Sequence, residues 1–225
     1  MAQDNKISVV INTYNAEKHL REVLDSVKDF DEIVICDMES KDNTLAIARE
    51  YGCKIVTFEK KNYTIVEPAR NFAVQSATHS WVLVTDADEL VTPELRQYLY
   101  QYIATPNCPE GLFIPRRNRD MNVLDMGRLR DFQLRFFRRD KVYWPPLIHS
   151  IPEIEGKTTK LVDNDKAVFN HLDENYLHDR MEKLNRYSDE ELDKRANKQY
   201  GLGALIWRPT WRFFKAYVMD QQYKK

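Results

Sequence analysis

The first 104 residues alternate short apolar runs with helix-period segments, and this restricts the chain to a parallel sheet covered by helices on both faces. Ile7-Ser8-Val9-Val10-Ile11 and Glu32-Ile33-Val34-Ile35-Cys36 are rich in the β-branched residues that favour strands. Lys54-Ile55-Val56-Thr57-Phe58 and Trp81-Val82-Leu83-Val84-Thr85 complete a set of four. Between the first two runs, Leu20, Val23, Leu24 and Val27 recur at helix spacing. A second helix is predicted from Asp42 to Tyr51, stopped by Gly52. Pro68 opens a third through Ala69, Ala73 and Ala77, and a fourth runs from about Thr92 to Ala104. Ligands of such sheets sit outside the carboxyl ends of the strands, where Asp37 and Asp86 fall.

Beyond Ala104 the rhythm changes. Thr105-Pro106-Asn107-Cys108-Pro109-Glu110 is a loop by composition. Strand-like pieces follow near Leu112–Arg116, Gln133–Arg138 and Ala167–Asn170, and a polar helix is predicted from Tyr176 to Lys198 with Met181, Leu184 and Tyr187 on one stripe. The expected organisation is one α/β domain over residues 1–225. A nucleotide-type half reaches to about 104, an irregular half that supplies a second substrate's pocket covers about 105–175, and a helical segment covers about 176–225.

Apolar residues make up 43% of the 225, enough for a real core, and the formal charge of −1 gives no global field to attract nucleic acid. Cys36, Cys53 and Cys108 have neither a metal-ligand spacing nor an even number for disulfides, and Cys36 reads as a small buried thiol. No signal peptide precedes the first strand and no uncharged apolar run is long enough to cross a membrane, so a cytoplasmic location is expected.

The tetrapeptide Asp86-Ala87-Asp88-Glu89 follows the fourth apolar run. Carboxylates at the end of a buried strand are costly to desolvate unless a cation receives them. If the strand continues to Asp88, alternation points Asp86 and Asp88 to one side, an arrangement suited to a divalent ion such as Mg²⁺ that also holds phosphates. The competing account is a helix-entry turn, where acidic residues favour an N-terminus. A dinucleotide-binding site needs glycines in the first turn, but the first glycine of the chain is Gly52 and that turn is Asn12-Thr13-Tyr14-Asn15.

Taken together, these segments resemble the family 2 glycosyltransferases with the GT-A fold. Ser8-Val9-Val10-Ile11-Asn12-Thr13-Tyr14-Asn15 is similar to that family's first strand and loop. Asp37-Met38-Glu39-Ser40-Lys41-Asp42-Asn43-Thr44 resembles its second-strand motif, with Glu39 standing where the motif usually has glycine. Ala69-Arg70-Asn71 resembles the pair that precedes the metal motif, and Asp86-Ala87-Asp88-Glu89 is similar to the metal motif itself. Asp131-Phe132-Gln133-Leu134-Arg135-Phe136-Phe137-Arg138-Arg139, Ile148-His149 and Asn170-His171 resemble the subgroup that builds bacterial lipopolysaccharide cores and related surface glycans. His149-Ser150 stands where such relatives often have His-Glu.

The resemblance implies inverting transfer of a sugar from a nucleoside diphosphate, a UDP-sugar in the first instance, to a hydroxyl of a glycan or lipid-linked acceptor, assisted by Mn²⁺ or Mg²⁺. It implies Asp88 as the direct metal ligand, with Asp86 facing the ribose or the metal's waters and His149 either a third ligand or a structural histidine. Asp37 is expected on the nucleobase or ribose, or else capping its turn; Thr13 and Glu17 line the same pocket, and Arg70 reaches the base or diphosphate. The attacking hydroxyl needs a base within hydrogen-bond reach. Asp131 is the first choice, with an ion pair to Arg128, Arg130 or Arg135 as its alternative role, and Asp120 and Asp125 are second choices. His171 could be ligand or structural, His79 and His178 read as solvated, and Arg116, Arg117 and Arg119 either meet an anionic acceptor or are solvated surface.

The segment from Leu205 to Met219 mixes large aromatics with cations. It fits a peripheral contact with anionic membrane, at the inner face of the membrane, or packing against the sheet. The chain stops at Gln221-Gln222-Tyr223-Lys224-Lys225, after a segment that relatives usually extend, as a piece of a longer protein would. Two rival functions are a sugar-nucleotide nucleotidyltransferase, which would show a glycine-rich phosphate loop after the first strand, and a non-catalytic sugar- or partner-binding protein on the same fold.

Overall fold

Seven consecutive buried residues, Ile7–Thr13, form β1, the strand around which the sheet is ordered. The computed structural model describes residues 5–61, 63, 66–120, 123–124, 131–147, 150–172 and 201–219. β2 (Glu32–Asp37) and β4 (Trp81–Asp86) flank β1 in parallel, and β3 (Lys54–Thr57) lies outside β2. α1 (Glu17–Val27) buries Leu20, Val23, Leu24 and Val27, the four residues that the 3.6-residue period selects. α2 (Thr44–Glu50) begins two residues later than its sequence pattern, because the Asp42 carboxylate instead accepts the Thr44 N–H at 3.0 Å. α3 (Glu67–Gln75) holds Pro68 in its first turn, where a missing N–H costs nothing.

The fourth strand ends at Asp86 and does not continue to Asp88. Residues 87 and 88 form a turn, and β5 (Glu89–Val91) starts directly after it. The buried Glu89 carboxylate closes this turn by accepting the Asp86 N–H at 3.0 Å. α4 (Pro93–Ala104) follows, capped by the Thr92 hydroxyl, which accepts from the Leu95 N–H.

The second half adds β6 (Gly111–Asp120), the short β7 (Val123–Leu124), β8 (Asp131–Arg138), β9 (Val142–Tyr143), β10 (Glu153–Ile154), β11 (Thr158–Lys160) and β12 (Phe169–His171). The main sheet runs β3-β2-β1-β4-β8-β6-β12-β5, with β7 and β11 also paired to β6. β8 enters antiparallel, setting Leu83 against Phe136 and Val82 against Phe137. Strand alternation then sends these phenylalanines to opposite faces. Phe136 stacks on Trp81 at 5.1 Å in the layer with Leu20, Leu24, Leu95 and Leu99; Phe137 meets Trp144 edge-on at 6.3 Å in the layer with Ala69, Ala73 and Val84. Burying each such ring contributes about 1.5–3 kcal/mol. The insertion of β8 therefore joins the irregular half to both cores of the first.

The chain divides into two compact units, residues 1–175 and 176–225. In the second, the predicted polar helix lies outside the described residues, while Leu202–Phe214 form a helix that continues as a π turn over Lys215–Met219. Trp207, Trp211 and Phe214 stack in sequence at 5.9 Å spacings, and Phe213 stacks on Tyr217 at 5.4 Å. Ile206, Trp207, Trp211 and Phe213 are exposed, and no acidic residue occurs from Leu202 to Met219. No helix among the described residues is long and apolar enough to cross a membrane.

Glu39 has φ +64°, in the left-handed region where a Cβ is unfavourable, so this residue keeps a backbone shape that glycine adopts freely. Its carboxylate accepts the Lys60 N–H at 3.3 Å. Comparing two variants that both lose this contact isolates the backbone effect. Glu39→Gly should be more stable than Glu39→Ala by about 1 kcal/mol in urea denaturation.

Candidate active site

The register of β1 against β4 sets Asn12 beside Asp86, at the carboxyl ends of both strands. Around that point opens a cleft of about 530 Å³, lined in part by Thr13, Tyr14, Arg70, Asp86, Asp88 and His171. Thr13, Arg70, Asp86 and Asp88, named from the sequence, thus meet in one hollow. Asp86 is 28% exposed and its two oxygens are already engaged. Arg70 Nη2, on the first turn of α3, donates to Oδ1 at 2.8 Å, and Arg135 Nη2, on β8, donates to Oδ2 at 2.6 Å. Burial pushes this carboxyl up, but the two guanidiniums more than reverse that and hold it well below the usual carboxylate range.

Asp88 lies beyond the turn and is 41% exposed. The antiparallel pairing of β12 with β5 sets His171 against Glu89, and His171 Nε2 approaches Asp88 Oδ2 to 3.3 Å. Burial lowers the His171 pKa, and the contact with Asp88 outweighs it, leaving the pKa above its ordinary value. An oxygen and a nitrogen ligand side by side on the cleft wall suit a divalent ion whose remaining positions a diphosphate fills. Among the described residues no cluster of three His, Cys, Asp or Glu could hold a metal unaided. His149, the residue named from the sequence as third ligand, lies outside the described residues, as do Asp125 and His178. His171 is where the sequence left two roles open.

Asp37 and Glu17 are not among the residues that line the cleft. The buried Asp37 carboxylate accepts from the Thr13 hydroxyl at 2.9 Å, the Ser40 N–H at 2.9 Å and the Ser40 hydroxyl at 2.6 Å, an arrangement that fixes the turn after β2. Glu17 accepts from the Asn43 N–H at 3.0 Å and from its side-chain amide at 2.8 Å, and faces a separate shallow depression with Arg21 and Glu50.

Asp131, at the start of β8, is ion-paired, and its partner comes from the neighbouring strand. Arg116 on β6 donates to Asp131 Oδ2 from Nη2 at 2.6 Å and from Nε at 3.0 Å, while Gln133 donates to Oδ1 at 2.7 Å. The pairing comes from the β6–β8 register, which sets Arg116 opposite Asp131. Nη1 of the same Arg116 donates at 3.0 Å to Glu89, whose side chain is fully buried. Arg116 therefore links the last acid of the tetrapeptide to the acid on β8. Arg117 instead donates to the Asp165 carbonyl.

The Asp86 pairing carries a pH signature. Because its folded-state pKa is depressed, the stability it contributes is present above the ordinary carboxylate pKa and is lost as pH falls. Asp86→Asn strands two buried guanidiniums and should be less stable than the wild type at pH 7. The gap between the two should narrow steadily below about pH 4 in denaturation curves, where unfolded wild type takes up a proton at Asp86 that the folded protein does not.

Residues 8–156, more than half of the chain, match the model of glycosyl transferase family 2. An uncharacterized glycosyltransferase of Rickettsia conorii is 35% identical over 103 residues, which are 45% of this chain and 36% of that protein. The poly(ribitol-phosphate) beta-N-acetylglucosaminyltransferase TarS of Staphylococcus aureus is 34% identical over 99 residues, 40% of this chain and 17% of that protein. The chain thus covers only about a third, or less, of the length of these relatives. The crystal structure of S. aureus TarS 1–349 in complex with UDP has the same fold, with a TM-score of 0.59 at 20% identity over 92% of this chain and 78% of that one. On its sequence motifs, its sheet order and the span of the family match, this chain belongs to glycosyl transferase family 2.

Proposed function

We propose that this chain transfers a sugar, with inversion, from a nucleoside-diphosphate sugar to a hydroxyl of a glycan or lipid-linked acceptor in bacterial surface-polysaccharide or lipopolysaccharide synthesis. The observation that carries the reading is the single cleft where β1 and β4 end, with Thr13, Arg70, Asp86, Asp88 and His171 on its wall. The donor we assign is a UDP-sugar, as the sequence motifs imply and in keeping with the UDP bound by TarS.

In this reading the acceptor oxygen attacks the anomeric carbon while the bond from that carbon to the diphosphate breaks. The proton of the hydroxyl passes to a carboxylate, for which we propose Asp131. Arg116 holds one oxygen of that carboxylate and Gln133 orients the other. A second hollow of about 410 Å³, lined by Arg70, Arg116, Arg135 and Trp144, shares Arg70 with the donor cleft and is the side we assign to the acceptor. Asp88 and His171 would hold Mn²⁺ or Mg²⁺, which when bound offsets the charge on the leaving diphosphate. Asp86, itself on the cleft wall, holds Arg70 and Arg135 in place. The exposed aromatic and basic helix Leu202–Phe214 supports a peripheral contact with anionic membrane, which suits a lipid-linked acceptor.

Two substitutions separate these roles. Asp131→Asn should keep its affinity for UDP and lose on the order of 10²–10⁴-fold in turnover. Asp88→Asn should lose the increase in UDP affinity that Mn²⁺ gives the wild type. Turnover by Asp131→Asn at the wild-type rate, or wild-type turnover undiminished by a chelator, would remove the base or the metal from the proposal.

A further inference from the structure

Trp144 and Arg70 each carry a buried N–H donor with no hydrogen-bond partner among the described residues, Nε1 of the indole and Nη1 of the guanidinium. Trp144 is 4% exposed and Arg70 7%. They are neighbours, with the guanidinium carbon of Arg70 4.8 Å from the centre of the Trp144 ring. Both line the hollow of about 410 Å³, and Trp144 is not on the wall of the donor cleft. The other cations of this hollow are spent. Arg116 gives Nε and Nη2 to Asp131 and Nη1 to Glu89, and Arg135 gives both Nη atoms to Asp86. The three arginines and their three acids balance, and the lining adds Glu67. Recognition in this hollow therefore follows from its unmet donors and not from net charge.

An indole N–H and a guanidinium N–H can only donate, so what completes them is an oxygen that accepts. A hydroxyl brings a hydrogen of its own, which then needs a buried acceptor. An ionised phosphate or carboxylate brings none, and its hydrogen bonds are about twice as strong as those between neutral groups. We propose that the hollow takes an acceptor bearing an anionic oxygen group, a phosphate or a carboxylate, held by Trp144 Nε1 and Arg70 Nη1 while the donor is in place. The inference rests on the nucleotide-sugar reading above and names the class of acceptor. Arg70 is free for this task because its Nη2 holds Asp86 without help from Nη1. Of the arginines that the sequence offers for an anionic acceptor, Arg116 is fully engaged and Arg117 is turned to the Asp165 carbonyl.

The test is calorimetric titration, at constant ionic strength, of glucose 6-phosphate, glucuronate and glucose into the protein saturated with UDP and Mg²⁺. These sugars differ in one substituent. The wild type should bind at least one of the two anions and bind glucose at least about tenfold more weakly. Tighter binding of glucose 6-phosphate marks a phosphate-bearing acceptor, and tighter binding of glucuronate a carboxylate-bearing one. Trp144→Phe keeps an aromatic ring beside Phe137 and removes the donor; it should lose about tenfold in affinity for the preferred anion and keep its affinity for UDP. Equal binding of all three sugars overturns the proposal, as does a folded Trp144→Phe with undiminished anion affinity. Displacement of UDP by the anion also overturns it, since the unmet donors would then serve the donor's diphosphate. The wild-type comparison decides the matter even where Trp144→Phe does not fold. If the wild type binds no UDP, the donor reading falls and this inference with it, whereas a UDP-loaded protein that takes neither anion sinks this inference alone.

Discussion

The Asp86 carboxylate, held between Arg70 and Arg135, is the constraint on which the rest of the site depends. It fastens the first turn of α3 and the end of β4, neighbours in the chain, to the middle of the distant β8. Each arginine also lies near the Trp144 ring, Arg70 at 4.8 Å and Arg135 at 5.8 Å, so the cations are held from two directions. Such a cluster is expensive to desolvate and more expensive to break, because removing one member leaves its partner charged and buried. Its geometry also divides labour within the tetrapeptide. Asp86 spends both oxygens on arginines, Glu89 closes the turn beneath it, and Asp88 is the more exposed of the two acids on the cleft wall.

A second link extends this arrangement sideways. Glu89 reaches Arg116, and Arg116 reaches Asp131. Arginines and carboxylates therefore alternate from the donor cleft to the start of β8, with three of each. Charge is nearly balanced within the cluster, so the site's character comes from which atoms stay unmet and not from an excess of one sign. Arg70 belongs to both hollows, which makes it the point where events in one can be felt in the other.

Much of the first half was legible in the sequence because its signals are local. The four β-branched runs became β1 to β4, and the helix-spaced Leu20, Val23, Leu24 and Val27 all turned inward. β4 ends one residue beyond the run Trp81–Thr85, and the conditional continuation to Asp88 does not occur, since alternation alone cannot reveal that the Glu89 carboxylate reaches back to the Asp86 N–H. Membership of the family and the fold were also readable, from motifs whose order matters more than any one of them. Less legible were the partners. That Asp131 pairs with Arg116, and that His171 faces Asp88, follows from the registers of β6 with β8 and of β12 with β5, and no local pattern encodes a register between strands so distant. Asp37 shows the opposite limit: the motif marks the residue, yet only its three hydrogen bonds reveal how fully the turn after β2 uses it.

The antiparallel entry of β8 beside β4 bears on how the molecule assembles in time. Asp86 and Arg135 are 49 residues apart, and their strands meet only after the intervening helix and loops have been drawn together. Closing such a distance is slow compared with forming the neighbouring βαβ units. A nascent chain can therefore complete β1 to β4 while Asp86 has one guanidinium instead of two. The cleft reaches its final charge arrangement only when β8 docks, so competence to act should appear as a late event, in step with burial of Phe136 and Phe137.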